Sequence, residues 1–330
     1  MGRTFLIVQS AFAGDVILAT SLIEKLHAAD ENNRIDILVR KGNESLLDHN
    51  PFINEILIWD KKKDKYKNLL QLIFRIREKK YYAVINLQRF SSTGILTAFS
   101  SAHKKIGFNK NPFSFLYSHR IKHVVKKGIH EIDRNQLLID SFAPGRPEKP
   151  RLYPSIENFI SVKPLKHREF ITIAPSSVWF TKTFPAYKWM ELINHHRLKK
   201  PSLLIYLLGS KGEFSHSEYV KNISGNQDII NLCGTLSFLE SAALMKDALM
   251  NFTNDSAPLH MAGAVNAPVT AIYCSTIPDF GFGPLSDISK IIETSQKLNC
   301  RPCGIHGYME CPLTHFKCAH TIDVTNAVEL

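Results

Sequence analysis

Short runs of apolar residues alternate along this chain with longer segments in which apolar residues recur at every third or fourth position. The run at 4–8 (TFLIV) precedes a loop at 9–14, and a helical pattern then begins at Asp15 and continues to Leu26. Runs of this length predict buried strands, and the longer period predicts the helices that cover them. Strands that alternate with helices are typical of α/β folds with parallel sheets. Further predicted strands lie at 35–39, 55–59, 83–87, 105–108, 170–174, 203–208, 229–232, 249–253 and 268–274.

A proline-rich stretch at 144–164, which has no apolar period, interrupts this pattern. Because a chain of 330 residues suits two domains of roughly 150 residues each, we interpret the interruption as a domain boundary. We predict a doubly wound, Rossmann-like α/β domain at 1–150, a linker at 151–168 and a second such domain at 169–330, with a ligand cleft between the two domains. The tail after Ile322 is predicted to be a last helical stretch.

The composition excludes several classes of protein. A hydrophobic content of 44% and a charged content of 22% are typical of a soluble globular protein, and no apolar run reaches the ~18 residues of a membrane span. The first twenty residues look like a signal peptide, but Asp15 interrupts their apolar region, so we expect a cytoplasmic protein. The loop at 9–14 has one glycine and lacks the G-x-G-x-x-G dinucleotide fingerprint, which argues against a nicotinamide enzyme.

The net charge of +11 indicates a phosphate-rich partner, such as nucleic acid, anionic lipid or a phosphorylated glycan. Aromatic residues are not interleaved with the basic ones in the way that single-strand binders require, so we expect no nucleic acid. Because most of the basic clusters precede the proline-rich stretch, we predict that the first domain docks peripherally on an anionic membrane surface. These clusters lie at 61–67, 75–80, 104–105 and 120–127.

The stretch at 248–284 predicts a β-turn-α-β unit. Ser256 and Ala257 stand where its helix begins, so backbone N–H groups and the positive end of the helix dipole suit a phosphate or diphosphate there. Asp255 and His260 are placed to face such a ligand. The alternative is that Asp255 only caps an ordinary helix, since Asp is a common N-cap residue.

Six cysteines form two groups. Cys233 and Cys274 stand in apolar surroundings, which predicts small core residues. The other four have the spacing C-x2-C-x7-C-x6-C, for which a four-thiolate zinc site and a disulfide knot both remain open. These four are Cys300, Cys303, Cys311 and Cys318.

The order of the loops resembles the lipopolysaccharide heptosyltransferases of glycosyltransferase family 9, which have the two-domain GT-B fold. The motifs are S-x-x-x-G-D, LQ, PSS…KTFP, GSKGE, NDS-x-x-H-x-A, P-x-x-x-GP and C-x-P-C…CP…H…C, and they span essentially the whole chain. The resemblance implies an inverting, metal-independent transfer without a cofactor, from ADP-heptose to the Kdo–heptose inner core on lipid A. It also implies a location at the inner face of the inner membrane.

The resemblance further implies donor-binding residues. Ser176, Ser177 and Lys182 match groups that hold the donor phosphates. Glu213 matches a carboxylate that binds the ribose hydroxyls. Leu236 falls where a backbone group contacts the adenine. The remaining residues match groups at the sugar and its diphosphate. The set is Ser176, Ser177, Lys182, Glu213, Leu236, Asp255, Ser256, Ala257 and His260.

The resemblance assigns the catalytic base to Asp15, which would take a proton from the acceptor hydroxyl; its alternative role is to cap the first helix. Basic residues match positions that face the acidic sugars of the acceptor. These residues are Lys61, Lys62, Lys65 and Arg120.

The chain departs from the family pattern at several positions, which leaves the sugar and the acceptor open. Gln9 stands in place of Lys or Arg, Asn86 in place of Asp, Ala257 in place of Gly, and Cys274-Ser275 in place of Gly-Pro. The alternatives are a GT-B transferase that moves another nucleotide sugar to a surface glycan, a nucleotide-sugar epimerase, and a non-enzymatic binder.

Overall fold

The computed structural model describes residues 2–325. The chain divides into two compact units, Met1–Tyr153 and Pro154–Leu330. Each unit contains one six-stranded sheet in which all the neighbouring strands run parallel. The α/β class predicted from the alternating pattern is therefore confirmed. None of the helices in the described part of the chain is both long and apolar enough to cross a bilayer.

The strands of the first unit are β1 (Thr4–Val8), β2 (Arg34–Arg40), β3 (Ile53–Trp59), β4 (Ala83–Asn86), β5 (Lys104–Phe108) and β6 (His119–Ile121). Its helices are α1 (Ala13–Ala29), α2 (Lys65–Glu78), α3 (Ser91–Ala98) and α4 (Glu131–Gln136). The sheet order is β3-β2-β1-β4-β5-β6. In β1, Ile7 aligns with Ile37 on one side and with Ile85 on the other. All three side chains are fully buried, because helices cover both faces of such a sheet.

The strands of the second unit are β7 (Phe170–Ala174), β8 (Leu204–Leu207), β9 (Ile229–Asn231), β10 (Asn251–Asn254), β11 (Val269–Tyr273) and β12 (Ser289–Glu293). Its helices are α5 (Ile156–Val162), α6 (Ala186–Lys199), α7 (Phe214–Ser224), α8 (Phe238–Lys246), α9 (Ala257–Ala264) and α10 (Lys317–His320). The sheet order is β12-β11-β10-β7-β8-β9, which repeats the winding of the first unit. Its core is centred on Ile171, Ile173, Trp189 and Phe252.

Four segments differ from the predictions. β6 was missed, because none of its three residues is buried. β12 was missed, because at this sheet edge only Ile292 of the sequence SKIIE is buried. The stretch interpreted as a linker contains α5, whose start is fixed by a capping box between Ser155 and Asn158 rather than by an apolar period. The last helical stretch, predicted after Ile322, lies largely outside the described residues.

The two sheets each have one point where the winding reverses, between β1 and β4 in the first unit and between β7 and β10 in the second. In open parallel sheets, ligands bind beyond the carboxyl ends of the strands at such a switch point, because the two following loops diverge there. These two loop pairs are therefore the places to look for a site.

Candidate functional site

An ion pair joins the two loops at the switch point of the second unit. Lys182, in the loop after β7, lies with its Nζ 2.7 Å from Oδ2 of Asp255, which directly follows β10. Their side chains are only 14% and 7% exposed. The pair therefore holds a cation at the carboxyl edge of the sheet, in surroundings where water screens it little.

Neighbouring side chains hold this pair in place. Thr276, which follows β11, donates from Oγ1 to Oδ2 of Asp255 at 2.7 Å. Asn254 is fully buried and ties the loop after β7 to β10: its Oδ1 accepts from the backbone N–H of Phe184 at 2.9 Å, and its Nδ2 donates to the carbonyl of Ser176 at 3.3 Å. The loops after three neighbouring strands, β7, β10 and β11, are thus fixed around the ammonium group of Lys182.

Helix α9 begins beside this pair, as predicted. Ser256 is its N-cap residue, and Ala257 is its first residue. The side chain of Ser256 makes no capping hydrogen bond; its Oγ donates instead to the carbonyl of Asn254 at 3.4 Å. The alternative role of Asp255 as a helix cap is wrong, because its carboxylate is held by Lys182 and Thr276.

Three more predicted donor residues lie within these elements. Ser176 has a buried Oγ that meets no hydrogen-bond partner among residues 2–325. An unpaired buried hydroxyl costs roughly 1–3 kcal/mol, so this atom is suited to a ligand that completes it. Ser177 accepts a hydrogen bond from the backbone N–H of Trp179 at 3.4 Å, and His260 is buried inside α9 with its ring 6.2 Å from that of Phe282.

Glu213 and Leu236 lie after adjacent strands, β8 and β9, at the same edge of the sheet. Oε2 of Glu213 accepts from the backbone N–H of Ser210 at 2.6 Å, which closes a capping box and orients the carboxylate. The two loops touch, since the N–H of Gly234 donates to the carbonyl of Gly209 at 2.9 Å. The structure therefore places Glu213 one strand and Leu236 two strands along the sheet from Lys182.

The cysteine-rich tail supports the Lys182 loop, which the sequence analysis did not predict. The N–H of Tyr308 donates to Oγ1 of Thr181 at 2.7 Å, and the N–H of Thr181 donates to the carbonyl of Tyr308 at 3.1 Å. Gly307 has φ +76°, and a Cβ there would lie 3.0 Å from Cγ of Lys182. Ser275 donates to Thr181 at 3.0 Å. Ser275, one of the departures from the family pattern, thus helps to hold the Lys182 loop next to the tail.

Arg301 fixes the loop after β11. It donates from Nε to the carbonyl of Cys274 at 2.7 Å and from Nη2 to the carbonyl of Thr276 at 2.8 Å, and it pairs with Glu293 at 2.6 Å. Because Thr276 in turn holds Asp255, Arg301 acts on the ion pair through one intermediate residue. No sequence motif indicates these contacts, since most of their acceptors are backbone carbonyls.

The four clustered cysteines line a cavity of about 360 Å³ together with His315. All six cysteines are free thiols. Burial and the neighbouring thiolates raise the pKa of Cys318 to about 12. Across the described residues, no group of three or more His, Cys, Asp or Glu side chains is arranged to hold a metal ion.

Asp15 lies in the first unit, in the first turn of α1 and beyond the carboxyl end of β1. The helix begins two residues earlier than predicted, at Ala13, and its N-cap is Phe12. Asp15 therefore does not have the alternative role of N-cap. Its half-buried carboxylate stands at the switch point of the first sheet.

Polar side chains join the two loops at this switch point. Gln88, after β4, donates from Nε2 to Oε1 of Gln9, after β1. The N–H of Gln88 donates to Oδ1 of Asn86 at 2.9 Å. Both departures from the family pattern, Gln9 and Asn86, thus belong to a neutral hydrogen-bond network at this switch point.

Within residues 2–325, Lys61 is the one predicted acceptor-binding residue that contacts the loop before Asp15. Its Nζ donates to the carbonyl of Ser10 at 2.7 Å. Burial, with the charges of Arg40 and Lys65 nearby, lowers the pKa of Lys61 to about 8. The guanidinium of Arg40 lies 4.8 Å from the ring centre of Phe12 in the same loop. Arg40 was missed because it ends β2 and carries no motif.

The structure does not bring Arg120 to this cluster. Arg120 lies in β6, at one edge of the sheet, whereas Lys61 follows β3 at the other edge. Five strand spacings separate the two edges, roughly 24 Å. Lys62 and Lys65 are exposed and flank the cluster on the side of α2.

Comparisons with known proteins agree with this geometry. The model of glycosyltransferase family 9 (heptosyltransferase) matches residues 69–310. Lipopolysaccharide heptosyltransferase 3 of Escherichia coli K12 is 24% identical over 296 residues, which cover 80% of each chain. The structure of E. coli ADP-heptose LPS heptosyltransferase II superposes with a TM-score of 0.78 at 20% identity and covers 98% of both chains. That of E. coli heptosyltransferase WaaC with ADP gives 0.71 at 19% identity and covers 87% of this chain and 92% of its own.

Two parallel α/β units, together with these structural matches, define the GT-B fold. The chain belongs to glycosyltransferase family 9, the heptosyltransferase family. The predicted fold class, family and enzyme class are thereby confirmed. Family membership also favours a transferase over the epimerase and the non-enzymatic binder.

Proposed function

We propose that this enzyme transfers heptose from ADP-heptose to the inner core of lipopolysaccharide, with inversion and without a metal ion. The observation that carries the proposal is the Lys182–Asp255 pair at the switch point of the second sheet. Relatives support the choice of sugar and acceptor, because they include a lipopolysaccharide heptosyltransferase and an ADP-heptose LPS heptosyltransferase.

The diphosphate of the donor would bind between Lys182 and the start of α9. An ammonium group has three donors, so Lys182 can keep Asp255 at 2.7 Å and still donate to a phosphate oxygen. Asp255 then aims the ammonium group, while the first N–H groups of α9 supply further donors for the negative charge. The unpaired hydroxyl of Ser176 is a third donor nearby. As the bond to the sugar breaks, these groups stabilise the leaving ADP.

The nucleoside would extend along the sheet edge toward β8 and β9. Glu213, oriented by the backbone N–H of Ser210, is suited to accept from the two ribose hydroxyls. Leu236 is half-buried and lies next in order, just before α8, where it would pack against the adenine ring. The order phosphate, ribose, adenine along the loops of β7, β8 and β9 matches the order of these groups in ADP.

Inversion requires a base that takes the proton of the acceptor hydroxyl as this hydroxyl attacks the anomeric carbon from the face opposite the leaving group. Asp15 has this role in the proposal. Lys61, with Arg40 beside it, supplies positive charge at the loop that precedes Asp15 and would bind a carboxylate or phosphate of the acceptor. Lys62 and Lys65 extend this charge outward. Arg120, at the other edge of the sheet, would contact a remote part of a large acceptor.

The acceptor is lipid-linked, so the proposal places the enzyme in the cytoplasm, peripherally at the inner face of the inner membrane. The basic clusters of the first unit support attachment to anionic lipid, at about 1 kcal/mol for each Lys or Arg near the surface.

The test is to measure release of the nucleoside diphosphate from ADP-heptose, GDP-mannose and UDP-glucose, each with and without deacylated lipid A core. We expect ADP release from ADP-heptose that depends on the acceptor, and little release from the other two donors. Equal or faster release from GDP-mannose or UDP-glucose would contradict the assignment of the donor. ADP release at the same rate with and without deacylated lipid A core would contradict the assignment of the acceptor.

A further inference from the structure

Helix α2 has two apolar faces, of which only one is buried. Leu69, Leu72, Ile73 and Ile76 pack against the sheet of the first unit. Tyr66, Leu70 and Phe74 are instead 74%, 57% and 65% exposed.

These three exposed side chains form a continuous stripe. Their spacing of four residues places Tyr66, Leu70 and Phe74 one above the other along the helix. Phe99, 51% exposed at the end of α3, lies beside the C-terminal end of the stripe, since Arg77 of α2 donates to its carbonyl at 3.2 Å. Contiguous exposed apolar surface of this kind marks an interaction site more often than single exposed residues do.

Basic side chains surround the apolar stripe. Segment 61–80 carries nine Lys or Arg residues and only two carboxylates, Asp64 and Glu78. Three of the cations are engaged elsewhere: Lys61 donates to the carbonyl of Ser10, Arg75 pairs with Glu55, and Lys79 pairs with Glu55 and with the buried Asp36. Those inner pairs fix the end of α2 to the sheet. The outer cations border the stripe at both ends, and they are Lys62, Lys63, Lys65, Lys67, Arg77 and Lys80.

A cavity of about 800 Å³ with basic residues in its lining continues this surface beyond the end of α2. Arg77 and Lys80 line it from the helix side, and Arg3 and His103 line it from the sheet. Tyr82 forms part of its wall, with the guanidinium of Arg3 4.7 Å from the ring centre. The cavity is wide, open and cationic, which suits a phosphate-bearing head group.

We propose that the stripe of α2 and this cavity form a docking surface for anionic phospholipid, with Tyr66, Leu70, Phe74 and Phe99 inserted among the acyl chains and the flanking cations at the phosphates. A helix with an apolar face bordered by Lys and Arg lies in the plane of a bilayer in this way. A second copy of the chain does not fit as the occupant, because two surfaces of the same positive charge would repel each other. The inference rests on the proposed membrane location and names the surface responsible for it.

The experiment places a reporter on the stripe. Phe74→Trp is titrated with vesicles of phosphatidylglycerol and phosphatidylcholine, with and without brominated acyl chains, and its fluorescence is compared with that of the wild-type protein. Leu198→Trp is the matched control, since Leu198 is 84% exposed on α6 of the other unit. We expect a blue shift and bromine quenching for Phe74→Trp with anionic vesicles only, and neither change for Leu198→Trp. Absence of quenching at position 74 in the presence of bound vesicles would overturn the proposal.

A second measurement separates insertion from simple attraction of charges. Leu70→Ser combined with Phe74→Ser should lower the partition coefficient for anionic vesicles by about tenfold or more, because two large apolar side chains leave the bilayer. Leu198→Ser should leave it unchanged. Equal binding of the double variant and the wild type would mean that charge alone attaches the protein.

Transfer to the water-soluble, deacylated acceptor keeps this inference distinguishable from the proposed function. The Leu70→Ser, Phe74→Ser variant should retain that activity, since neither residue lies in the candidate site. If heptosyl transfer fails for every acceptor while quenching is observed, the proposed function is wrong and the docking surface stands.

Discussion

Nζ of Lys182 lies 2.7 Å from Oδ2 of Asp255, across the two loops at which the second sheet reverses its winding. The pair is more than four-fifths buried on both sides, and Thr276 and Asn254 hold its two loops. A buried ion pair is weak support for stability, because desolvation offsets its attraction. Its position instead supports a role in binding a second anion.

Replacement of Lys182 should therefore damage activity more than folding. Lys182→Met is expected to lower kcat/KM by at least about 100-fold, because it removes the cation aimed at the leaving diphosphate. Steady-state kinetics with ADP-heptose measure this. Lys188→Met is the matched control, since Lys188 is equally buried and pairs with Glu191 at 2.8 Å in the same unit. A similar loss in both variants would assign Lys182 a structural role only.

Asp15→Asn should lower kcat by about 10²–10⁴-fold, the usual contribution of a general base. Binding of ADP-heptose, measured by calorimetry, and the melting temperature should change little. Asp30→Asn, at the other end of the same helix, is the control and should remain active. More than about a tenth of wild-type activity in Asp15→Asn would exclude it as the base, since even the low end of this range is larger.

Binding of the acceptor should weaken as the pH rises through about 8. Burial and the charges of Arg40 and Lys65 lower the pKa of Lys61 to about 8, so its ammonium group is present below that pH and is lost above it. An anionic acceptor is attracted only by the charged form, so its KM should rise on the alkaline side. Lys61→Arg keeps the charge and should flatten the profile. The same alkaline rise in both proteins would assign the titration to another group.

Arg301→Met should lower the free energy of unfolding by about 3 kcal/mol, because it leaves the buried carbonyls of Cys274 and Thr276 without their charged donor. It should also raise the KM for the donor, since Thr276 holds Asp255. Denaturant titration and kinetics measure the two effects. Arg168→Met is the control: its pair with Asp228 is exposed and is worth at most about 1 kcal/mol. Lost stability with an unchanged KM would argue against the positioning role.

The sequence predicts the strands best where both faces of the sheet are covered. β1, β7 and β11 are almost entirely buried, so each consists of apolar residues apart from one threonine. β12 was not predicted, because an edge strand has fewer buried positions. The short helix α5 starts at a capping box and lacks an apolar period, so the stretch was interpreted as a linker.

The candidate site was predictable to the extent that loop motifs mark it. The positions of Ser256 and Ala257 at the start of α9 follow from local rules for helix starts. The partner of Asp255 does not, because Lys182 reaches it from another loop. The support from Thr181, Ser275 and Arg301 was missed, since these contacts join groups that are distant in sequence and are brought together only by the fold.

The account's central claim is tested most directly by identifying the product of a transfer reaction run with ADP-heptose and deacylated lipid A core in the presence of EDTA. Mass spectrometry should show an acceptor heavier by one heptose residue, and NMR should show an anomeric configuration opposite to that of the donor. Transfer should proceed in EDTA, because Lys182, Ser176 and the start of α9 can carry the charge of the leaving diphosphate. An unmodified acceptor, a product with retained configuration, or activity that returns only when a divalent metal is added would contradict the account.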